Sequence, residues 1–218
     1  MNCDKNDLLL YAVTDRHWLD GRRLIDVVRE SLDGGVTMVQ LREKTLEEGK
    51  FLEEAKELQT LCRERGVPFL VNDNVEIARE MNADGVHVGQ SDMEPAMSVQ
   101  SLARTRSSAF RHRPWNRPFS PSSAGQITSA SAQSSTPVPR PDAEDVSHET
   151  LTAICNAVKI PVIAIGGITR DNVTELSGSG ICGIAVISAI FCTERHCFRN
   201  EGSEKNRLCA CWKTNNFT

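Results

Sequence analysis

Residues 68–92, PFLVNDNVEIAREMNADGVHVGQSD, decide the fold of this chain. A short apolar run, Pro68–Val71, is followed by the turn residues Asn72–Asn74, an amphipathic segment over Val75–Met81, and a second apolar run over Gly85–Val88. That order predicts a strand, a helix and a second strand. Because a helical crossover returns the chain to the same end of a sheet, the two strands are predicted to be parallel.

The same alternation continues on both sides of this unit. The further predicted strands are Leu8–Val13, Val36–Leu41, Pro161–Ile165 and Gly183–Ile187, and the further predicted helices are Arg22–Leu32, Thr45–Arg65, Leu151–Val158 and Asp171–Leu176. Thr45 and Glu48 predict a capping box at the start of the longest helix. Near-continuous apolar strands that alternate with helices predict an α/β protein with a helix-covered parallel sheet. Six strands and a gap wide enough for two more favour a TIM-type (β/α)8 barrel over an open doubly wound sheet.

Polar residues and glycines recur where the predicted strands end. They are Gln40, Arg42 and Lys44, then Asn72, Asp73 and Asn74, then Gln90, Ser91 and Asp92, then Gly166 and Gly167, and finally Ser188. Each group alone has an ordinary explanation as turn chemistry or as an ion-pair network at the rim. Because the carboxyl ends of barrel strands carry the chemistry of such folds, the shared position predicts an active site.

The residue types indicate two anion sites. Arg42 and Lys44 supply a guanidinium fork and a point charge that suit phosphate oxygens. Asp73 and Asp92 are hard oxygen ligands that suit a Mg²⁺ ion holding a diphosphate. Gly166–Gly167, ahead of the helix predicted near Asp171, can expose backbone N–H groups to a second phosphate, beside the Ile187–Ser188 backbone on the neighbouring strand. Two anion sites predict two phosphorylated substrates.

The motifs at these positions resemble one family. YAVTD (11–15), VQLREK (39–44), VND (71–73), GVHVGQSD (85–92), AIGGI (164–168) and GIAVISAIF (183–191) together resemble thiamine phosphate synthase. The resemblance covers about residues 8–94 and 142–191 of a single barrel domain spanning 1–218. It implies a transferase that joins a hydroxymethylpyrimidine diphosphate to a thiazole phosphate, giving thiamine phosphate and diphosphate.

The resemblance also implies roles for individual residues. The residues implied to bind the pyrimidine diphosphate are Gln40, Leu41, Arg42, Glu43, Lys44 and Asn72, with Arg42 and Lys44 catalytic. Asp73 and Asp92 would hold Mg²⁺. Gly167 and the backbone of Ile187 and Ser188 would bind the thiazole phosphate.

Two segments depart from the family. Residues 95–141 contain no Asp, Glu or Lys but six arginines, and residues 192–218 hold four of the eight cysteines. Moved back by one nucleotide, the reading frame allows LGPDKIIGVSASTVEQALLA over Leu102–Pro121 and ADYLGVGAVFHTGS over Gln126–Pro139. The opposite slip allows AQKDIVSATKELKK over Cys192–Lys205. We interpret both segments as translated out of frame, which predicts that strands five and six and the last helix are corrupted or missing. The barrel is then expected to expose sheet edges, to aggregate and to have little or no synthase activity.

Other functions are compatible with parts of the sequence. A thiazole tautomerase-like relative should lack the full diphosphate-binding set, and a basic Ser/Arg-rich protein could bind nucleic acid through Arg104–Arg117. A pseudogene product without function stays open. The cysteine-rich tail matches none of the usual zinc spacings.

Composition sets further limits. The net charge of −4 and pI near 5.8 do not favour nucleic acid or anionic membranes, and no apolar run approaches the length of a membrane span. A cytoplasmic location is expected, and the sequence leaves a homo-oligomer open.

Overall fold

The computed structural model of the chain describes residues 4–88, 106–110, 125–131 and 147–191. The strands are β1 Leu10–Val13, β2 Met38–Leu41, β3 Phe69–Asn72, β4 Gly85–Val88, β5 Arg106–Phe110, β6 Gly125–Ser131, β7 Val162–Ile165 and β8 Gly183–Val186. The helices are α1 Leu24–Asp33, α2 Glu48–Glu64, α3 Val75–Glu80, α4 His148–Ala157 and α5 Ser188–Phe191, and short 3₁₀ turns cover Lys5–Leu8, Arg16–Trp18 and Val173–Leu176. Within these ranges no helix is long and apolar enough to cross a membrane.

The strands pair in chain order, and β8 pairs with β1, so that the sheet closes. Six of the eight neighbouring pairs are parallel, whereas β5 runs antiparallel to both β4 and β6. The predicted α/β class with a parallel, helix-covered sheet is therefore confirmed for the family-like strands. The reversed β5 means that the regular eightfold repeat of strand and helix is not present.

The sequence predicts that strands five and six are corrupted or missing and that the sheet exposes its edges. The reversed β5 agrees with a corrupted barrel, but both strands are present, so the expected open edges are wrong. β5 and β6 lie inside the aberrant segment and close the gap between β4 and β7. An antiparallel neighbour needs no helical crossover, so a short stretch without helical periodicity can fill a place in the sheet. The predicted loss of the last helix falls on residues 192–218, outside the described residues.

The helices and strands begin and end within a few residues of the predicted positions. One predicted capping motif and one predicted helix are not present as predicted. Thr45 and Glu48 form no capping box: the N-cap of α2 is Glu47, which makes no side-chain capping bond. The backbone N–H and hydroxyl of Thr45 instead donate to Glu43 Oε1. The helix predicted over Asp171–Leu176 is only the 3₁₀ turn Val173–Leu176, which is followed closely by Gly178 at φ +79°.

Alternate residues of the family-like strands face two different cores. Tyr11, Met38, Leu70, Ile163 and Ala185 belong to one cluster, which packs inside the closed sheet. The residues next to them on each strand belong to a larger cluster shared with the helices; on the first three strands they are Leu10, Ala12, Val39, Leu41, Phe69 and Val71. Burial on both faces explains why these strands carry no alternating hydrophobic pattern.

Gly183, the first residue of β8, is required by close backbone packing. A Cβ atom at this position would lie 1.7 Å from the carbonyl oxygen of Leu8. We therefore expect Gly183→Ala to lower the free energy of unfolding by about 1–3 kcal/mol or more, measured by urea denaturation.

Gly49 in α2 is the matched control for this substitution. A Cβ atom added at Gly49 would meet nothing within 4 Å, so Gly49→Ala should be neutral or stabilise the helix by up to about 1 kcal/mol. Equal stability of the two variants would contradict the packing argument.

Candidate active site

Candidate residues from four strands lie at one rim of the sheet. Arg42 and Lys44 follow β2, Asp73 follows β3, Gly167 follows β7 and Ser188 follows β8. These strands are parallel, so their carboxyl ends meet on the same side. Gln90, Ser91 and Asp92 lie outside the described residues, as does most of Arg104–Arg117.

A chain of hydrogen bonds connects the ends of β2 and β3. Gln40 and Asn72 are buried, and Gln40 Nε2 donates to Asn72 Oδ1 over 3.2 Å. Asn72 Nδ2 donates to Asp73 Oδ2 over 2.5 Å. Gln40 follows the inward-facing Met38 by two residues and Asn72 follows the inward-facing Leu70 by two, so strand geometry brings both amides to the interior of the barrel mouth.

Asp73 has the left-handed backbone conformation, with φ +61°. Its N–H donates to the carbonyl oxygen of His87 on β4 over 2.7 Å, and its side chain is exposed. This conformation is uncommon for a residue other than glycine and favours Asp and Asn among the exceptions. The carboxylate is therefore presented to solvent at the rim by a backbone that is fixed to the neighbouring strand.

Arg42 is held by the segment that follows β1. Its Nη1 lies 3.2 Å from Asp15 Oδ2, and its backbone N–H donates to Thr14 Oγ1 over 3.0 Å. The Thr14 backbone N–H in turn donates to the carbonyl oxygen of Gln40. The ion pair uses one of the five guanidinium N–H donors, which leaves most of the fork for an anionic ligand.

Glu43 is a hydrogen-bonding hub. Its Oε1 accepts from Lys44 N at 2.8 Å, Thr45 N at 3.0 Å and Thr45 Oγ1 at 3.1 Å, while Oε2 pairs with Arg16 Nε. Burial opposes ionisation of Glu43, but the hydrogen bonds from Thr45, Arg16 and Lys44 outweigh it and lower the pKa of the carboxyl below its ordinary 4.5.

Leu41 and Lys44, which lie on either side of Arg42 and Glu43, differ in exposure. The Leu41 side chain is completely buried in the core between sheet and helices, so only its backbone is available to a substrate. Lys44 is exposed at the rim. A flexible ammonium group in water beside Arg42 suits the transient binding of phosphate oxygens.

The glycine pair after β7 forms a braced loop. Gly166 and Gly167 have φ values of +112° and +50°. Asn172 spans the loop, since its Nδ2 donates to Gly167 O over 3.0 Å and its Oδ1 accepts from Thr169 N over 2.7 Å. The predicted support from a helix beginning near Asp171 is wrong, because that region holds only a four-residue 3₁₀ turn. Any anion site here depends on the local backbone of Gly167, together with Ile187 and Ser188 at the end of β8.

Only part of the predicted metal site is described. Asp73 offers an exposed carboxylate of the kind Mg²⁺ prefers. Among residues 4–88 and 147–191 no group of three or more His, Cys, Asp or Glu side chains is placed to hold a metal ion. Asp92, the second predicted ligand, is not among the described residues.

Thr14, Asp15, Arg16 and Asn172 contact the predicted site residues, yet the sequence interpretation gave none of them a role. Thr14 and Asp15 belong to the quoted YAVTD motif, and Arg16 is the next residue. Their position directly after β1 was the available signal, because it is the same strand-end position that marked Arg42 and Asp73.

The Glu43 hub predicts a pH-dependent contribution to stability. The folded-state pKa of Glu43 lies below its ordinary 4.5. Ionised Glu43 therefore favours the folded chain fully at pH values above 4.5, and this contribution is lost as the pH falls through the folded-state pKa. Glu43→Gln should cost about 1–3 kcal/mol at pH 7 in urea denaturation, and the difference from wild type should shrink with acidification. Glu53→Gln, an exposed substitution on α2, controls for net charge; a difference that does not change with pH would contradict the assignment.

Comparison with known proteins identifies relatives over most of the chain. A family model described as thiamine monophosphate synthase matches residues 10–107 and 130–190. A thiamine-phosphate synthase from Clostridium tetani is 39% identical over 194 residues, covering 84% of this chain and 88% of the relative. One from Syntrophomonas wolfei is 38% identical, covering 85% and 89%. The solved structure of a thiamine phosphate pyrophosphorylase from Pyrococcus furiosus has a TM-score of 0.68 at 29% identity and covers 96% of this chain and 98% of its own.

Proposed function

This chain belongs to the thiamine monophosphate synthase family, and from that premise we propose that its strand-end rim binds the two substrates of thiamine phosphate formation. The substrates are a pyrimidine carrying a diphosphooxymethyl group and a thiazole carrying a phosphooxyethyl group. The observation that carries the proposal is the contiguous polar surface after β1, β2 and β3, in which Gln40, Asn72 and Asp73 are hydrogen-bonded in series and Arg42 is oriented by Asp15.

The residues after β2 and β3 form the diphosphate side of the proposed site. Arg42 and Lys44 would bind the diphosphate oxygens, and the buried amides of Gln40 and Asn72 would contact the pyrimidine portion of the same substrate. Amides that already bond each other hold a fixed orientation, which lowers the entropy lost on binding. Leu41 would contribute through its backbone only.

The proposed reaction breaks the bond between the pyrimidine methylene carbon and the diphosphate oxygen, and the electron pair leaves with diphosphate. The thiazole nitrogen then donates its lone pair to the methylene cation and forms the new C–N bond. Positive side chains aimed at the leaving group stabilise the charge that develops on it, which makes Arg42 and Lys44 the proposed catalytic residues.

We include Mg²⁺ in the proposal as the cofactor. Asp73 and Asp92 are the proposed ligands, and the exposed carboxylate of Asp73 has the chemistry that this ion requires. When bound, the ion would neutralise diphosphate charge. Asp73 is fixed by its bonds to Asn72 and to the His87 carbonyl, so the chain itself would present this ligand beside the diphosphate side.

We assign the thiazole phosphate to the strand ends of β7 and β8, on the other side of β1 from the proposed diphosphate side. Gly167, with the backbone of Ile187 and Ser188, would surround its phosphate. The positive φ of Gly167 and the bond from Asn172 to its carbonyl fix the direction of the backbone N–H that follows Gly167, whereas the N–H of Thr169 is taken by Asn172. Backbone N–H groups arranged in this way suit a phosphate without a charged side chain.

A thiazole tautomerase-like activity is less consistent with this surface, because it leaves the diphosphate-binding residues without a purpose. A cytoplasmic location and assembly into a homo-oligomer stay predictions from the sequence.

Binding of the pyrimidine diphosphate tests the diphosphate side. With Mg²⁺ present, we expect saturable binding by isothermal titration calorimetry, and Arg42→Gln should weaken it roughly 10–100-fold through the loss of charge-assisted hydrogen bonds. Arg29→Gln removes the same charge from an exposed position on α1 that pairs with Asp26 and should leave the affinity unchanged. Failure of the unmodified chain to bind would contradict the proposed function.

Turnover tests the effect of the aberrant segments. We expect the chain to form thiamine phosphate at well below about 1 s⁻¹, because the strand-five end and the strand-six loop of the family are replaced. Replacing residues 102–121, 126–139 and 192–205 by the frame-restored sequences given above should raise kcat by at least about tenfold. Turnover is measured by chromatographic detection of thiamine phosphate. Equal turnover by the two chains would show that the aberrant segments do not impair the site.

A further inference from the structure

Arg16, the first residue of the 3₁₀ turn after β1, connects two acidic side chains from different parts of the chain. Its Nε pairs with Glu43 Oε2 after β2, and its Nη2 pairs with Glu54 Oε2 on α2. The Glu43 and Glu54 side chains are only 5% and 19% exposed, whereas Arg16 is 37% exposed. We propose that Arg16 is a positioning residue for the arm that carries Arg42 and Lys44, which it aligns by holding Glu43 against α2.

The fork of a guanidinium group makes this connection specific. Its N–H groups point in fixed, different directions, so that one side chain can hold two carboxylates at once. Helix α2 packs on the sheet through Phe51, Ala55 and Leu58. Glu54 lies on this anchored helix, and Arg16 therefore ties the arm to a rigid element.

The other carboxylate oxygen of Glu43 holds the backbone of the arm in place. Oε1 accepts the backbone N–H groups of both Lys44 and Thr45. Fixing those two N–H groups restricts the backbone of Lys44, the residue that presents the ammonium group. Both oxygens of Glu43 are thus engaged within the protein, and we assign it to positioning, in contrast to the substrate contact implied by resemblance.

Two ion pairs set the register between the segments after β1 and β2. Asp15 pairs with Arg42, and Arg16 pairs with Glu43. A slip of one residue in one direction would bring Asp15 toward Glu43 and Arg16 toward Lys44. A slip in the other direction would bring Arg16 toward Arg42, and like charges at such distances repel. The alternation of sign therefore selects the alignment in which Arg42 projects at the rim.

This inference rests on the proposed diphosphate side, so its test uses binding of inorganic diphosphate in the presence of Mg²⁺. By isothermal titration calorimetry on the full chain, Arg16→Gln should weaken binding on the order of tenfold, because the binding groups lose their alignment. Arg16→Lys keeps a charge for Glu43 but has no fork to hold Glu54 as well, so it should recover only part of the affinity and bind about threefold more weakly than wild type.

Arg65→Gln is the matched control. Arg65 pairs with Asp33 and is 38% exposed, close to the exposure of Arg16, but it lies at the end of α2 away from the rim. Its substitution makes the same charge change and should leave the affinity unchanged. Thermal unfolding followed by circular dichroism identifies the temperature at which every variant is folded, and the titrations are made below it.

The outcomes separate the inference from the proposed function. If the unmodified chain does not bind diphosphate, the proposed function fails and the positioning role fails with it. If it binds and Arg16→Gln binds equally well, or Arg65→Gln weakens binding as much, only the positioning role is overturned. Should Arg16→Gln not fold, Glu54→Gln decides, since it leaves the Glu43 pair in place: weaker binding supports the role and unchanged binding overturns it.

Discussion

The alternation of side chains along strands that are buried on both faces is the constraint on which this site depends. Each residue of such a strand must face either the barrel interior or the helices, and both environments are apolar. Gln40 and Asn72 occur at interior positions near the strand ends, where the apolar sequence gives way to polar residues. They tolerate burial because each supplies a hydrogen-bond partner to the other. The same periodicity that builds the core therefore places the first polar groups of the rim.

Beyond the last strand residue, the strand period no longer determines where a side chain points, and hydrogen bonds and ion pairs determine it instead. Thr14 and Asp15 hold Arg42, Arg16 holds Glu43, and Asn172 holds the Gly167 loop. These contacts join segments separated by 27 or 28 residues after β1 and β2, but by only 5 residues in the β7 loop. The diphosphate side consequently depends on tertiary alignment, whereas the glycine loop is largely set by local sequence.

This difference explains what the sequence could and could not predict. The strands, their parallel order and the rim position of Arg42, Asp73 and Gly167 followed from apolar runs and the residues after them. The role of Arg16 could not be read in this way, because an arginine in a polar loop looks the same whether it faces water or spans two carboxylates. The capping box failed for a related reason: Thr45 matched the local motif, but the Glu43 carboxylate, already fixed by Arg16, bonds its N–H and hydroxyl groups. The closing of the sheet by β5 was missed because antiparallel pairing does not require the strand–helix alternation on which the prediction relied.

The direction of β5 has a consequence for the site that composition alone does not reveal. Phe110, the last residue of β5, pairs with Gly85, the first residue of β4. The carboxyl end of β5 thus lies at the rim opposite to Arg42 and Asp73. The family-like arc from β7 through β8 and β1 to β4 remains parallel and carries every described candidate residue. A chain with this arrangement keeps the proposed binding groups for the two substrates at one rim of the sheet. The carboxyl end of a parallel fifth strand would lie at the same rim, whereas that of the reversed β5 does not. We therefore expect this protein to keep substrate binding, which depends on the ends of the parallel strands, and to lose much of its turnover, which also depends on the fifth strand.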